Sequence, residues 1–310
     1  MTHIVLTSRE LPIPPMQAGG QAIEFRPLSA GGDFAGAKVL LSTSLEKISA
    51  AQIAALPDSL GLIANLGVGF DTIDRKAAAA RGIIVTNTPV VAEDTADHCF
   101  ALILGLCRKV SENERFLRAG HWPSQDPIIS SRVHGKHLGL VGFGDIGQAV
   151  ARRAAGFGMK VSYWNRSPRA EAAKALGASR VEDLTDLLRR ADIVSLHTAH
   201  TPDTHHILNE KTLAECKKGT FLINTGRGGL IDEEALIGAL WSGHIAGAGL
   251  DVFDDEPNVR PEFLALDNTV LTPHVGAITE ECRIEIVMRG MMNVIKFIET
   301  GEVIDRVPPP

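Results

Sequence analysis

Three residues of different chemistry recur in one pattern late in the chain. Arg227, Glu256 and His274 each lie just beyond a short apolar run: Thr220 to Asn224, Ala246 to Val252 and Thr269 to Thr272. Such runs, separated by helical stretches, read as strands of a parallel sheet. The carboxyl ends of parallel strands share one sheet edge, so a guanidinium, a carboxylate and an imidazole are expected to converge there. Reduction of a 2-keto acid needs this set. A planar guanidinium offers two parallel hydrogen bonds to the substrate carboxylate. The carbonyl oxygen gains charge as hydride arrives and needs a proton donor active near neutral pH, which histidine supplies. A carboxylate beside that histidine favours its charged form and fixes its orientation. Singly, each residue has a plainer reading: a surface charge, a solvated Asp254-Asp255-Glu256 turn, a loop histidine. The conjunction carries the argument.

A hydride needs a carrier, and His137 to Ser167 is built to hold one. Leu138 to Val141 runs into Gly142-Phe143-Gly144-Asp145-Ile146-Gly147, a helical pattern follows from Gln148 to Phe157, and a second apolar run spans Lys160 to Trp164. Strand, glycine turn, helix and strand in this order form a dinucleotide fingerprint. Gly142 permits the tight turn, Gly144 lets the backbone approach a pyrophosphate, and Gly147 lets the helix pack close. Amides at the helix start, including those of Asp145 and Ile146, face the phosphates. At the end of the second strand, where an acid would hold the ribose of NAD, stands Asn165, followed by Arg166, Ser167 and Arg169. An acid there would repel a 2′-phosphate; asparagine does not, and an arginine attracts one. NADP(H) is therefore expected over NAD(H), with NAD(H) use left open. Solvated surface arginines are the alternative.

The rest of the chain must position these groups. Its 310 residues, 45% hydrophobic, are enough for two domains, and a net charge of −6 with no basic run points away from nucleic acid and membrane surfaces. Residues 1–90 alternate strands (4–7, 38–42, 62–65, 82–86) with helices (49–56, 74–81), a small α/β domain without the fingerprint. Its Gly67-Val68-Gly69 loop follows a strand and leaves backbone amides accessible to an anion. Glu93 to Leu117 reads as one long helix with a buried stripe, able to cross between domains. Trp122 beyond it reads as a packing or oligomer contact. The four scattered cysteines give neither a disulfide framework nor a zinc site. His197, His200, His205 and His206 lack an acidic cluster, so no metal is expected. The N-terminus lacks the layout of a signal peptide and no apolar run reaches membrane-spanning length, so a cytoplasmic protein is the simplest reading.

The motifs GVGFDTID at 67–74, the glycine turn at 142–147, INTGRGGLIDEEAL at 223–236, GAGLDVFDDEP at 247–257 and TPHVG at 272–276 resemble those of the D-isomer-specific 2-hydroxyacid dehydrogenases. The resemblance covers most of the chain from Gly67 onward. It implies that Arg227 anchors the substrate, Glu256 partners the histidine, His274 is the general acid–base, and Val68 and Gly69 donate amides to the substrate carboxylate. Thr95, Thr198, Thr204, Thr225, Gly226, Asp251 and Gly276 match positions lining the cofactor. The implied fold is two doubly wound parallel-sheet domains, a Rossmann cofactor domain (98–278) and a smaller, discontinuous flavodoxin-like substrate domain (1–97 and 279–310), with a cleft between them. It also implies a homodimer built through the cofactor domain. The Asn165 departure resembles the NADPH-dependent glyoxylate and hydroxypyruvate reductases, or the 2-ketogluconate reductases. Other possibilities are an NAD-linked D-2-hydroxyacid dehydrogenase, or a dinucleotide-sensing interaction protein like the C-terminal-binding corepressors.

Overall fold

The computed structural model describes residues 2–31 and 34–310, which fall into two units: Met1–Val91 with Ile278–Pro310, and Ala92–Ala277. The first unit runs β1 (His3–Thr7), β2 (Met16–Ala18), β3 (Gln21–Pro27), β4 (Val39–Thr43), α1 (Ala50–Ala55), β5 (Leu62–Leu66), α2 (Arg75–Ala80) and β6 (Ile84–Thr86). Its sheet order is β2-β3-β1-β4-β5-β6, parallel except for β2. All residues of β4 and β5 are buried, as central parallel strands require. The antiparallel edge was not expected. It closes through Gly19-Gly20, with φ of 55° and 75°, a two-residue glycine turn that L side chains rarely fit.

The second unit runs α3 (Ala92–Arg108), α4 (Val110–Arg118), β7 (His137–Val141), α5 (Asp145–Gly156), β8 (Lys160–Trp164), α6 (Ala170–Ala175), β9 (Ser179–Arg180) and α7 (Leu184–Arg190). It continues through β10 (Ile193–Leu196), α8 (Glu210–Ala214), β11 (Thr220–Asn224), α9 (Glu233–Trp241), β12 (Ile245–Leu250), α10 (Pro261–Ala265) and β13 (Thr269–Leu271). The chain then returns to the first unit as α11 (Glu280–Thr300), capped by the Thr279 hydroxyl and ended by Gly301 at φ 76°. Met291 and Val294 of α11 are buried with residues of β1, β4 and β5.

The second sheet is wholly parallel, in the order β13-β12-β11-β10-β7-β8-β9. Strand order reverses between β7 and β10, the place where open α/β sheets bind ligands. The carboxyl end of β7 carries the glycine turn, while those of β11, β12 and β13 lead to Arg227, Glu256 and His274.

Two expectations need correction. The long helix is two helices, broken at Lys109, which sits in the left-handed region at φ 50°. The buried stripe of α3 ends at Leu106 and Cys107, and α4 buries no residue, so nothing holds the chain on the same axis. Asn113 instead ties the break down, donating to the carbonyls of Lys109 and Ile128. The unit boundary at Val91/Ala92 also places the whole of α3, packed along α5, in the second unit, so a division at 97/98 falls inside a helix.

Candidate active site

His274 and Glu256 form a direct pair, Nδ1 to Oε2 at 2.7 Å. Glu256 Oε1 accepts from the Phe253 amide at 2.9 Å, so the carboxylate is aimed from both ends. Burial works to raise the Glu256 carboxyl. It is outweighed by the His274 hydrogen bond, the Phe253 amide and the charges of His274 and Arg227, which together hold it below the usual carboxylate range. Arg227 is thus within electrostatic reach of the pair. Its Nη1 donates to the Gly226 carbonyl at 2.8 Å, and its own carbonyl accepts from Asn224 Nδ2 at 2.8 Å. The next residue explains the closeness of the Arg227 and Glu256 loops. A Cβ on Gly228 would lie 1.9 Å from the Phe253 carbonyl carbon, so only glycine fits.

His274 itself is held in an unusual backbone conformation, φ 53°. Its amide donates to the carbonyls of Asp251 (2.8 Å) and Thr272 (3.1 Å). The Asp251 side chain is 1% exposed and accepts from Thr272 Oγ1 at 2.6 Å, Val275 N at 2.9 Å and Gly276 N at 2.8 Å. Burial raises its carboxyl, but hydrogen bonds from His98, Thr272, Val275 and Gly276 hold it low. Asp251 was matched to a cofactor-lining position; its side chain is occupied within the fold. Gly276 adjoins it, an added Cβ lying 3.0 Å from Asp251 Oδ2 and 3.7 Å from Thr95 Cγ2. His98 went unnoticed in the sequence, because its partners lie more than 150 residues away and no local pattern marks them.

The glycine turn has the shape a dinucleotide needs. Gly142 has φ 104°, and a Cβ there would collide with the His197 carbonyl and the Thr198 amide. A Cβ on Gly147 would lie 2.5 Å from the Gly142 carbonyl. Around Gly144, by contrast, an added Cβ meets nothing within 4 Å, so no contact within the fold demands that glycine. The space is open at the start of α5, where unpaired amides and the helix dipole favour a phosphate. That helix begins at Asp145, three residues before the expected Gln148. Thr225 Oγ1 is buried without a hydrogen-bond partner, a polar atom awaiting one. These residues fit a dinucleotide. Thr204 fits less well: its hydroxyl donates to the Ala199 carbonyl at 2.7 Å and accepts the Thr201 amide at 2.8 Å, closing the loop it sits in.

Asn165 is similarly engaged. Its Oδ1 accepts the Phe143 amide at 3.2 Å and its Nδ2 donates to the Ser167 carbonyl at 2.7 Å, tying the loop after β8 to the glycine turn. Arg166, Ser167 and Arg169 are exposed, and no ion pair among the described residues engages either guanidinium. His197, at the end of β10, is half-buried with Nε2 2.8 Å from Ser195 Oγ, and desolvation of the ring pushes its imidazole down to about 4. His200 and His205 pair at 3.1 Å. No group of three or more metal-ligating side chains is present among the described residues.

In the first unit, Gly67 has φ 128°, and a Cβ there would strike Ser44 Oγ. The carbonyls of Val68 and Gly69 accept from Asn87 Nδ2 (2.8 Å) and Asn65 Nδ2 (2.7 Å). Among the described residues, neither of their amides meets an acceptor.

Comparison with known proteins follows the same lines. The family described as D-isomer specific 2-hydroxyacid dehydrogenase, NAD binding domain, matches residues 100–276. A glyoxylate reductase of Thermococcus litoralis is 45% identical over 251 residues, 79% of this chain and 75% of that protein. Among solved structures, the NADPH-dependent glyoxylate/hydroxypyruvate reductase of Sinorhizobium meliloti, in complex with NADP and malonate, superposes with a TM-score of 0.88 at 32% identity, covering 99% of this chain and 97% of that one. A D-mandelate dehydrogenase of Rhodotorula graminis matches with a TM-score of 0.81 at 30% identity over 99% of this chain and 97% of its own.

Proposed function

The chain belongs to the D-isomer specific 2-hydroxyacid dehydrogenases, and from that premise we propose that it reduces glyoxylate or hydroxypyruvate with NADPH. The observation that carries the reading is the His274–Glu256 pair at 2.7 Å with Arg227 in electrostatic reach. When bound, the reduced dinucleotide supplies a hydride to the carbonyl carbon. Arg227 binds the substrate carboxylate. Glu256 is ionised and only accepts, so His274 Nδ1 carries a proton toward it. Nε2 then gives its proton to the carbonyl oxygen as charge develops there. The neutral ring keeps its Nδ1–H on Glu256, and the product is the 2-hydroxy acid.

The substrate choice is supported by the archaeal relatives named glyoxylate reductase, since the fold alone also accommodates a mandelate dehydrogenase. Three features support NADPH over NADH: no acid follows β8, Arg166 and Arg169 are exposed and unpaired by carboxylates, and a structural relative was solved with NADP. We assign homodimer formation to the exposed apolar side chains of Val110, Leu117, Trp122 and Ile129 (56%, 56%, 64% and 90%), to be checked by light scattering in solution. The test of function is initial rates on glyoxylate, hydroxypyruvate and 2-ketogluconate, each with NADPH and NADH. NADPH-dependent turnover of the two small acids is expected. NADH preference would reduce the arginines to surface charges; tight cofactor binding with no turnover would favour a sensing protein.

A further inference from the structure

His98 lies on α3, one turn past Thr95, with its side chain 19% exposed. Its Nε2 is 2.9 Å from Thr272 Oγ1 and 3.3 Å from Asp251 Oδ1. Counting protons assigns these contacts. Asp251 is held ionised, so it only accepts. The Thr272 hydroxyl has one proton and commits it to Asp251 at 2.6 Å. Thr272 Oγ1 therefore meets His98 as an acceptor, and His98 Nε2–H is the donor, shared between the hydroxyl and the carboxylate.

We propose that His98 is a positioning residue for His274. Through its Nε2–H it fixes Thr272 and the Asp251 carboxylate. That carboxylate holds the amides of Val275 (2.9 Å) and Gly276 (2.8 Å), and the Asp251 carbonyl holds the amide of His274 (2.8 Å). These bonds brace a histidine backbone at φ 53°, a conformation that persists only where its surroundings over-determine it. The inference rests on His274 being the proton donor. Removing the His98 donor leaves Asp251 its other three partners, so the loop loosens without the carboxylate being stranded. The reacting imidazole then spends less time aligned.

The experiment compares the full-length wild type with His98→Leu, His98→Gln and Thr272→Val, using glyoxylate and NADPH. Leucine keeps the bulk and loses the donor; glutamine keeps a donor at similar reach. For the leucine variant kcat is expected to fall about ten- to a hundredfold, the cost of a small misplacement of a reacting group, with KM for glyoxylate nearly unchanged. Glutamine should restore kcat to within about threefold, since it preserves the hydrogen bond. Thr272→Val, which survives as a test if the leucine variant fails to fold, should show the same kcat loss, and the double variant should be no worse than either single one. Hydrogen exchange at the Val275 and Gly276 amides, read independently of turnover, should quicken in the leucine variant and recover with glutamine. Wild-type kcat and exchange in the leucine variant, or equal losses with leucine and glutamine, would overturn the proposal. If the wild type itself reduces no 2-keto acid, the proposed function falls, and the exchange data alone decide whether His98 braces this loop.

Discussion

Replacing Glu256 by Gln isolates the charge in the His274–Glu256 pair. The amide keeps the length of the side chain, and its oxygen can still accept the Phe253 amide that now lies 2.9 Å from Oε1. What it loses is the negative charge 2.7 Å from His274 Nδ1. A hydrogen bond to a charged group contributes about 1.5–3 kcal/mol. The side chains are only 27% and 29% exposed, so solvent screens little of this. About 2 kcal/mol corresponds to roughly thirtyfold in rate if the interaction acts on the imidazolium that delivers the proton. The assay is kcat/KM for glyoxylate reduction at neutral pH, with NADPH binding as a control on folding. A rate within about twofold of wild type would refute the claim that Glu256 supports the proton donor.

Other outcomes follow from the same geometry. Gly228→Ala places a Cβ 1.9 Å from the Phe253 carbonyl carbon, a backbone clash. It should cost about 3 kcal/mol or more and lower the unfolding midpoint by about 6 °C or more in a calorimetric scan. The Asp251 carboxyl is held low in the folded protein, so its stabilisation is present at neutral pH and lost as pH falls through and below the usual carboxylate range. Asp251→Asn should lower the unfolding midpoint at neutral pH and flatten its acid dependence, read by unfolding scans between about pH 7 and 2. Arg166→Ala and Arg169→Ala should each raise KM for NADPH by up to about tenfold, at the low end for a charged hydrogen bond because both are exposed, and leave KM for NADH nearly unchanged.

Where the amino-acid pattern reports local physics, it was legible. The glycines at 142 and 147 are required by contacts within a few ångströms, and both the strand before them and the helix after them carry their own periodicity. Arg227, Glu256 and His274 were readable because parallel strands deliver their carboxyl ends to one edge, so position along the chain stands in for position in space. The misses were of two kinds. Some signals were present and unread: Gly19-Gly20 between two short extended runs is a hairpin turn. Others have no local trace. Lys109 breaks a helix without glycine or proline, because burial ends at Cys107 and Asn113 captures the turn. Asn165 and Thr204 look like ligand contacts by type, yet their polar atoms already serve the loops that carry them. His98 acts on Asp251 and Thr272, residues that only the folded sheet brings near.

The central claim is that His274, aimed by Glu256, delivers the proton to a 2-keto acid. Measuring glyoxylate turnover and NADPH binding side by side in His274→Ala tests it most directly. Turnover should collapse by about a hundredfold or more, within the usual range for a general acid, while NADPH binds nearly as in the wild type. Turnover retained with the imidazole gone would contradict the account and take His274 out of the chemistry.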